Sequence, residues 1–165
     1  MPETRIAFAD ANWLFALYYE TRVSAHVRQW AAKGPSTLVV SQPVLAECRC
    51  NFWRAGDRAR ALDADVRARR FIDCGYTFED LAGASQDWFR RFAPRCNIGT
   101  LDLLHLQAAK RFGCRWFLSF DTASGCRAVA AALGLKVFPE LNDQDREIGR
   151  RMRSQVKFDM SNAEV

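Results

Sequence analysis

Short apolar runs alternate along the chain with longer segments in which apolar residues recur every three or four positions. The short runs are typical of strands buried in a parallel sheet, and the longer segments of helices packed against it. The predicted strands are 6–9, 37–40, 71–74, 116–118 and 136–138, of which 71–74 is the most ambiguous. The predicted helices are 12–19, 24–33, 41–54, 57–70, 77–92, 100–112 and 124–133. This alternation predicts an α/β domain with four to five parallel strands, covered by helices on both faces.

The remaining part of the chain differs in pattern. Asn142 is suited to cap a helix from Asp143 to about Val156, which is highly charged and has only sparse apolar positions. We therefore divide the chain into a domain over 1–141 and a charged C-terminal helix and tail over 142–165. This helix could be a solvated appendage, a dimer element or an arm that faces nucleic acid.

Composition limits the class of protein. The 165 residues, 49% of them hydrophobic, are enough for one domain with its own core. The formal net charge of +5, carried far more by arginine than by lysine, makes an anionic partner plausible.

No apolar run approaches the roughly 20 residues of a spanning helix, and the N-terminus does not resemble a secretory signal. We expect no membrane association and a cytoplasmic location, with the six cysteines reduced because none forms a Cys-x-x-Cys pair.

Four carboxylates fall where ligands bind in such sheets, beyond the carboxyl ends of the strands. Asp10 ends the first strand, Asp121 follows the strand at 116–118, Asp102 lies in the first turn of its helix, and Glu47 lies one turn into the helix after the second strand. Clustered carboxylates repel one another unless a cation lies between them. A hard divalent ion such as Mg²⁺ or Mn²⁺ would resolve that repulsion.

Each of these acids also has a structural explanation. Asp10 and Asp121 could cap the helices that follow them, Asp102 could complement a helix dipole, and Glu47 could be a solvated helix residue. His105 follows the apolar period of its helix, together with Leu101, so we predict that it is packed in the core.

Four blocks together resemble the PIN-domain nucleases, particularly the VapC-like toxins of bacterial toxin–antitoxin pairs. The blocks are Phe8-Ala9-Asp10-Ala11-Asn12, Ser41-Gln42-Pro43-Val44-Leu45-Ala46-Glu47, Leu101-Asp102-Leu103-Leu104-His105 and Leu118-Ser119-Phe120-Asp121. The resemblance covers about residues 4–139, with acids at all four family positions. The chain after Pro139 and the stretch Cys48-Arg49-Cys50 are not part of it.

The resemblance implies a Rossmann-like three-layer α/β/α sandwich whose acids hold one or two divalent ions. Asp10, Glu47, Asp102 and Asp121 would be both catalytic residues and metal ligands, and Asn12, Thr100 and Ser119 would orient them or their waters. It implies hydrolysis of RNA phosphodiester bonds, with Mg²⁺ or Mn²⁺ as cofactor, a cognate antitoxin and a homodimer. Thr100 is equally suited to be a helix cap.

Three other functions stay open. One is a PIN-fold RNA-processing nuclease with no toxin role. The second is a non-catalytic protein that keeps the fold only to bind RNA or a partner, although clustered carboxylates without a cation would destabilise such a fold. The third is a haloacid-dehalogenase-like phosphatase, which needs a second aspartate two positions after the first, where this chain has Asn12.

Overall fold

The computed structural model describes the backbone of residues 5–162 and the side chains of residues 5–154. Five parallel strands form its sheet: β1 (Arg5–Ala9), β2 (Ser36–Val40), β3 (Phe71–Asp73), β4 (Trp116–Leu118) and β5 (Lys136–Phe138). Their order is β3-β2-β1-β4-β5, so the ambiguous segment at 71–74 is a strand and pairs with β2. The parallel α/β fold predicted from the sequence pattern is confirmed.

Nine helices are found among the described residues. They are α1 (Ala11–Tyr18), α2 (Ser24–Ala32), α3 (Gln42–Ala55), α4 (Ala59–Arg67), α5 (Phe78–Ala84), α6 (Gln86–Phe92), α7 (Thr100–Phe112), α8 (Cys126–Ala132) and α9 (Asp143–Asn162). None of the helices described is both long and apolar enough to span a lipid bilayer.

The centre of the sheet is buried on both faces. Successive side chains of a strand point to opposite faces, and Ala7, Phe8 and Ala9 of β1 are all fully buried. Phe8 stacks on Phe117 of the neighbouring strand β4, with ring centroids 5.9 Å apart. Helices must therefore cover the sheet on both sides, which gives the expected three-layer arrangement.

The prediction of one helix over 77–92 is wrong. The segment is divided at Ser85, which ends α5 and begins α6. The amide of Ser85 donates to the carbonyl of Ala82, three residues back, so the chain makes a tighter turn there than an α-helix does. Ser85 itself is fully buried.

The C-terminal helix is attached to the domain through a buried ion pair. Arg127 of α8 and Asp145 of α9 are 2% and 1% exposed, and Nε of Arg127 lies 3.0 Å from Oδ2 of Asp145. The same guanidinium donates to the carbonyls of Ser119, Pro139 and Glu140. Asp145 is buried here, and so is Met152 two turns later. Over residues 143–154, whose side chains are described, α9 is therefore packed on the domain and is not a solvated appendage.

The cysteines are all free thiols, as predicted. Cys48, Cys114 and Cys126 are buried, and burial raises the pKa of Cys48 and of Cys114 to about 12. These three side chains therefore act as small apolar groups in the core.

Candidate metal centre

The point where the chain changes direction in the sheet lies between β1 and β4. From β1 the chain moves outward to β2 and β3, and it returns to the other side of β1 to form β4 and β5. In such sheets the crevice at the carboxyl ends of the two central strands is the usual ligand site. Asp10 directly follows β1, and its backbone N–H donates to the carbonyl of Leu118 at the end of β4.

Asp10 is a buried carboxylate with several donors. It is 4% exposed and caps α1, accepting a 2.7 Å hydrogen bond from the amide of Ala11. The hydroxyl of Ser119 donates to its second oxygen at 2.7 Å, and Nδ2 of Asn12 donates to the same oxygen at 3.2 Å. Burial raises the pKa of Asp10 above its usual range, although the nearby His105 and these hydrogen bonds oppose the rise. Asp10 is thus both a helix cap and a group whose charge requires a partner.

Asn12 and Ser119 connect the ends of β1 and β4. Nδ2 of Asn12 also donates to Oγ of Ser119, and its Oδ1 accepts from the amide of Phe120 at 3.0 Å. Ser119 is fully buried, and its Oγ accepts from the amide of Asp121 at 3.2 Å. Both side chains therefore contact Asp10 and fix its orientation relative to the chain after β4.

Glu47 reaches Asp10 from α3. The possible ligand atoms of Asp10, Glu47 and His105 all lie within 4.8 Å of one another. Nε2 of His105 is 3.5 Å from Oε2 of Glu47 and 3.8 Å from Oδ1 of Asp10. The side chain of Glu47 is 40% exposed whereas that of His105 is 1% exposed, so the group opens to solvent on the Glu47 side.

The burial of His105 was predicted, but its contact with two carboxylates was not. Its ring lies beside Phe8, with ring centroids 6.1 Å apart, and its Nδ1 is buried without a hydrogen-bond partner among the described residues. A proton on Nδ1 would have no acceptor, whereas a proton on Nε2 faces two carboxylate oxygens. The geometry therefore favours the tautomer that carries its proton on Nε2. Leu101 was predicted to share the buried apolar face with His105, but it is 43% exposed, so the prediction is wrong for Leu101.

Asp102 and Asp121 lie outside this tight group but within electrostatic reach of it. Asp102 accepts from the amide of Gly99 at 3.1 Å, and Asp121 accepts from the amides of Ala123 and Ser124. Burial raises the pKa of Asp102, and the charges of Asp10 and Asp121 raise it further. The same three carboxylates help to raise the pKa of the buried thiol of Cys126, after burial itself. The charges of Asp10, Asp102 and Asp121 therefore act on the same part of the core.

Two structural alternatives for the site residues are wrong. Asp121 does not cap α8, because its carboxylate accepts from Ala123 and Ser124, whereas α8 begins at Cys126 and has Gly125 at its N-cap. Thr100 is the exposed first residue of α7, whose N-cap is Gly99, with the carboxylate of Asp102 bonded to the Gly99 amide. The N-terminus of α7 is therefore capped by Gly99 and Asp102, and not by Thr100.

The donor set fits a hard divalent cation. Asp10 and Glu47 lie together with His105 between them, and the charges of Asp10 and Asp121 act on Asp102. Mg²⁺ and Mn²⁺ bind carboxylate oxygens and keep several waters, which a site open on one side allows. A cation here would relieve the repulsion that the burial of Asp10 and Asp102 otherwise increases.

Comparison with known proteins identifies relatives of this fold. The family model of the PIN domain matches residues 7–132. No curated protein sequence matches the chain. Among solved structures, the chain is similar to VapC20 of Mycobacterium tuberculosis, a sarcin–ricin loop cleaving toxin, with 22% identity, a TM-score of 0.59, and coverage of 78% of this chain and 95% of that one.

Two further structures are similar at 16% identity. VapBC2 from Rickettsia felis, bound to a DNA fragment from its promoter, has a TM-score of 0.52 and covers 83% of this chain and 99% of its own. FitAcB from Neisseria gonorrhoeae has a TM-score of 0.53, with coverage of 80% and 96%. At these identities the similarity concerns the fold.

Proposed function

Because this chain belongs to the PIN-domain family, we propose that it is a divalent-metal-dependent endoribonuclease and the toxin of a toxin–antitoxin pair. The observation that carries the proposal is the buried carboxylate of Asp10, which meets Glu47 and His105 at the switch point of the sheet. Asp102 and Asp121 act on the same region. Such a cluster is costly in an apo protein and is explained by a bound cation.

In this proposal the four acids hold one or two Mg²⁺ or Mn²⁺ ions. A bound ion supplies Lewis-acid stabilisation of the phosphate charge and lowers the pKa of the attacking water. Asp10 is oriented by Ser119 and Asn12, and Glu47 faces solvent, where a phosphate can enter. A water would add to phosphorus and give up a proton, the bond from phosphorus to the leaving ribose oxygen would break, and that oxygen would take up a proton. No covalent intermediate with the protein is required.

The proposed partners follow from the relatives. The similar structures include VapBC2 bound to a fragment of its promoter DNA and FitAcB, and one is a toxin that cleaves the sarcin–ricin loop. For this chain we propose a small antitoxin protein encoded nearby, a homodimer, and action on RNA in the cytoplasm. An RNA-processing role without an antitoxin would predict neither growth arrest on expression nor a neighbouring small reading frame.

The test is incubation of the purified protein with total RNA in EDTA, Mg²⁺ or Mn²⁺, followed by mapping of the cut ends. We expect discrete cuts with a divalent ion and none in EDTA. Asp10→Asn and Asp121→Asn should stay folded and lose this cleavage, while the variant Asp143→Asn, at an exposed position of α9, should keep it. Unchanged cleavage by both site variants would show that the active site is elsewhere.

A second measurement separates binding from catalysis. Mn²⁺ titrated into the apo protein should bind with an affinity that falls in the Asp10→Asn variant, as measured by calorimetry. A folded wild-type protein that binds no divalent ion would contradict the proposal, whatever RNA it is given.

A further inference from the structure

A cavity of about 590 Å³ opens directly beside the candidate metal centre. It shares Asn12 and Glu47 with that centre and is bounded by α1, the turn between α1 and α2, and α3. Its lining also includes two aromatic rings and two arginines, those of Phe15, Phe120, Arg22 and Arg54. Any molecule in this cavity therefore lies within reach of the carboxylates.

Phe120 presents a fixed aromatic ring to this cavity. It packs in parallel on the buried ring of Trp13, with ring centroids 4.9 Å apart and planes 15° apart. Its amide is bonded to Oδ1 of Asn12, and it stands between Ser119 and Asp121 in the chain. The ring is half-buried, so part of its surface is open to the cavity. A planar group stacked there would be held next to the candidate metal centre.

The charge of the cavity suits an anion. Among the described residues, its charged lining consists of Arg22, Arg54 and Glu47, and both arginines are exposed. Guanidinium groups bind phosphate oxygens in a bidentate manner. A ligand that combines a planar apolar ring with phosphate groups matches this lining better than an apolar or a cationic one.

The cavity continues on the other side of α3. A second cavity, of about 510 Å³, shares Glu47, Asn51 and Arg54 with the first. Its lining also includes the side chains of Phe78 and Leu101, which are 55% and 43% exposed. Glu47 and Arg54 thus lie between two adjoining hollows, so an extended chain of repeating units could occupy both.

We propose that the cavity beside Phe120 is the subsite for one nucleotide of single-stranded RNA next to the cleaved bond. The base stacks on Phe120, and Arg22 and Arg54 bind the flanking phosphates. Single-stranded RNA is required because only an unpaired base can leave its stack to contact a protein ring. This inference rests on the proposed function, since it names the site's substrate form and the residues that select it.

The first test measures binding without cleavage. A fluorescent oligouridylate is titrated into the full-length protein in EDTA at several salt concentrations, and anisotropy gives Kd. Each phosphate contact to a single strand contributes about 0.7 to the slope of log K against log salt. Arg22→Gln and Arg54→Gln should each weaken binding and lower the slope by about that amount. Arg90→Gln, an exposed arginine that pairs with Asp87 and does not line the cavity, is the matched control and should change neither.

The second test reports on stacking. A single 2-aminopurine in the oligouridylate should lose fluorescence when it stacks on Phe120. Phe120→Leu keeps an apolar side chain but removes the ring, and should abolish that quenching and weaken binding at least about fivefold. Phe120→Tyr should retain both, and circular dichroism and urea unfolding establish that each variant is folded. In the cleavage assay, Phe120→Leu should also alter which nucleotide precedes the cut.

The outcomes separate this inference from the proposed function. If the wild type cleaves RNA but the arginine and Phe120 variants match Arg90→Gln in Kd, salt slope and quenching, the subsite is wrong and the function stands. If the wild type neither binds the oligonucleotide nor cleaves RNA, both are overturned.

Discussion

Nε2 of His105 lies 3.5 Å from Oε2 of Glu47, and this pair joins α7 to α3 across the candidate metal centre. Since Nδ1 of the same ring is buried without a partner among the described residues, the proton is best placed on Nε2, between Glu47 and Asp10. His105 is therefore a positioning residue, because its Nε2 lies between the two carboxylates and is within hydrogen-bond distance of Glu47.

The first prediction concerns this histidine. His105→Ala should lower the free energy of unfolding by about 2–5 kcal/mol in EDTA, because it leaves a void beside Phe8 and removes the donor between the acids. His105→Gln, which keeps an N–H, should lose less. Urea unfolding repeated in Mn²⁺ should show a smaller loss for the alanine variant, since a bound ion replaces the missing donor.

His26 provides the control for these variants. It is exposed on α2, so His26→Ala should change the free energy of unfolding by little in either condition. Equal losses for His105→Ala and His105→Gln, unaffected by Mn²⁺, would mean that His105 only fills space.

The second prediction compares two fully buried serines. The hydroxyl of Ser119 donates to Asp10 at 2.7 Å, whereas Oγ of Ser85 has no partner among the described residues. Groups that orient a metal ligand typically contribute about 10-fold to 100-fold in affinity. Calorimetry with Mn²⁺ should therefore show a loss of about that size for Ser119→Ala and none for Ser85→Ala. The same affinity for both variants would remove Ser119 from the site.

The third prediction is the pH dependence of the metal-free protein. Burial raises the pKa values of Asp10 and Asp102 above the ordinary 3.8, so the folded state keeps these protons to higher pH than the unfolded state does. Their contribution to stability is thus fully present below about pH 4 and is lost as pH rises through the raised values. Unfolding in EDTA should show this loss, and Mg²⁺ should reverse it because the ion binds the ionised acids.

Asp10→Asn and Asp80→Asn test the sign of that dependence. Asp10→Asn should flatten the loss of stability with rising pH. Hydrogen bonds from the backbone and hydroxyl of Thr77 lower the pKa of Asp80, so its contribution is instead lost as pH falls. Asp80→Asn should therefore alter only the acid side of the profile. If the metal-free wild type gains stability above pH 4 and Asp10→Asn removes that gain, the pKa of Asp10 is not raised in the folded protein.

The fourth prediction concerns the attachment of α9. Asp145→Ala leaves the guanidinium of Arg127 buried without its anionic partner, which typically costs about 3–5 kcal/mol. Asp143→Ala, two residues earlier on the same helix, removes an exposed pair with Arg146 and should cost less than about 1 kcal/mol. Chemical denaturation distinguishes the two. Similar small losses would show that α9 is not anchored through Arg127.

Much of the fold could be predicted because its signals are local. The run Ile6 to Ala9 is short and apolar, and Pro43 after Ser41 marks the start of α3, whose N-cap is indeed Ser41. The break at Ser85 could not be foreseen, because the apolar spacing from Leu81 to Phe92 is compatible with one continuous helix. There the chain's tertiary packing, which buries Ser85, decides the conformation.

Chain position and the family pattern predicted which residues would belong to the candidate site, but they predicted its geometry only in part. Strand ends predicted that Asp10 and Asp121 lie at one edge of the sheet, and the resemblance implied that Ser119 orients an acid. The structure joins Ser119 to Asp10 by a hydrogen bond. Periodicity could not show that His105 meets Glu47, because that contact depends on how α3 and α7 cross over the sheet end. For the same reason, periodicity could not show that Asp10 is buried in the tight group whereas the carboxylates of Asp102 and Asp121 accept hydrogen bonds from nearby backbone amides.

The central place of β1 also determines when the site can form during synthesis. β1 leaves the ribosome first, but β4, its second neighbour, follows far later, and the serine that orients Asp10 is 109 residues away in sequence. A nascent chain that ends before Ser119 holds Asp10 without the hydroxyl that orients it and without Asp121. The candidate metal centre can therefore be completed only after β4 and the segment through Asp121 have left the ribosome.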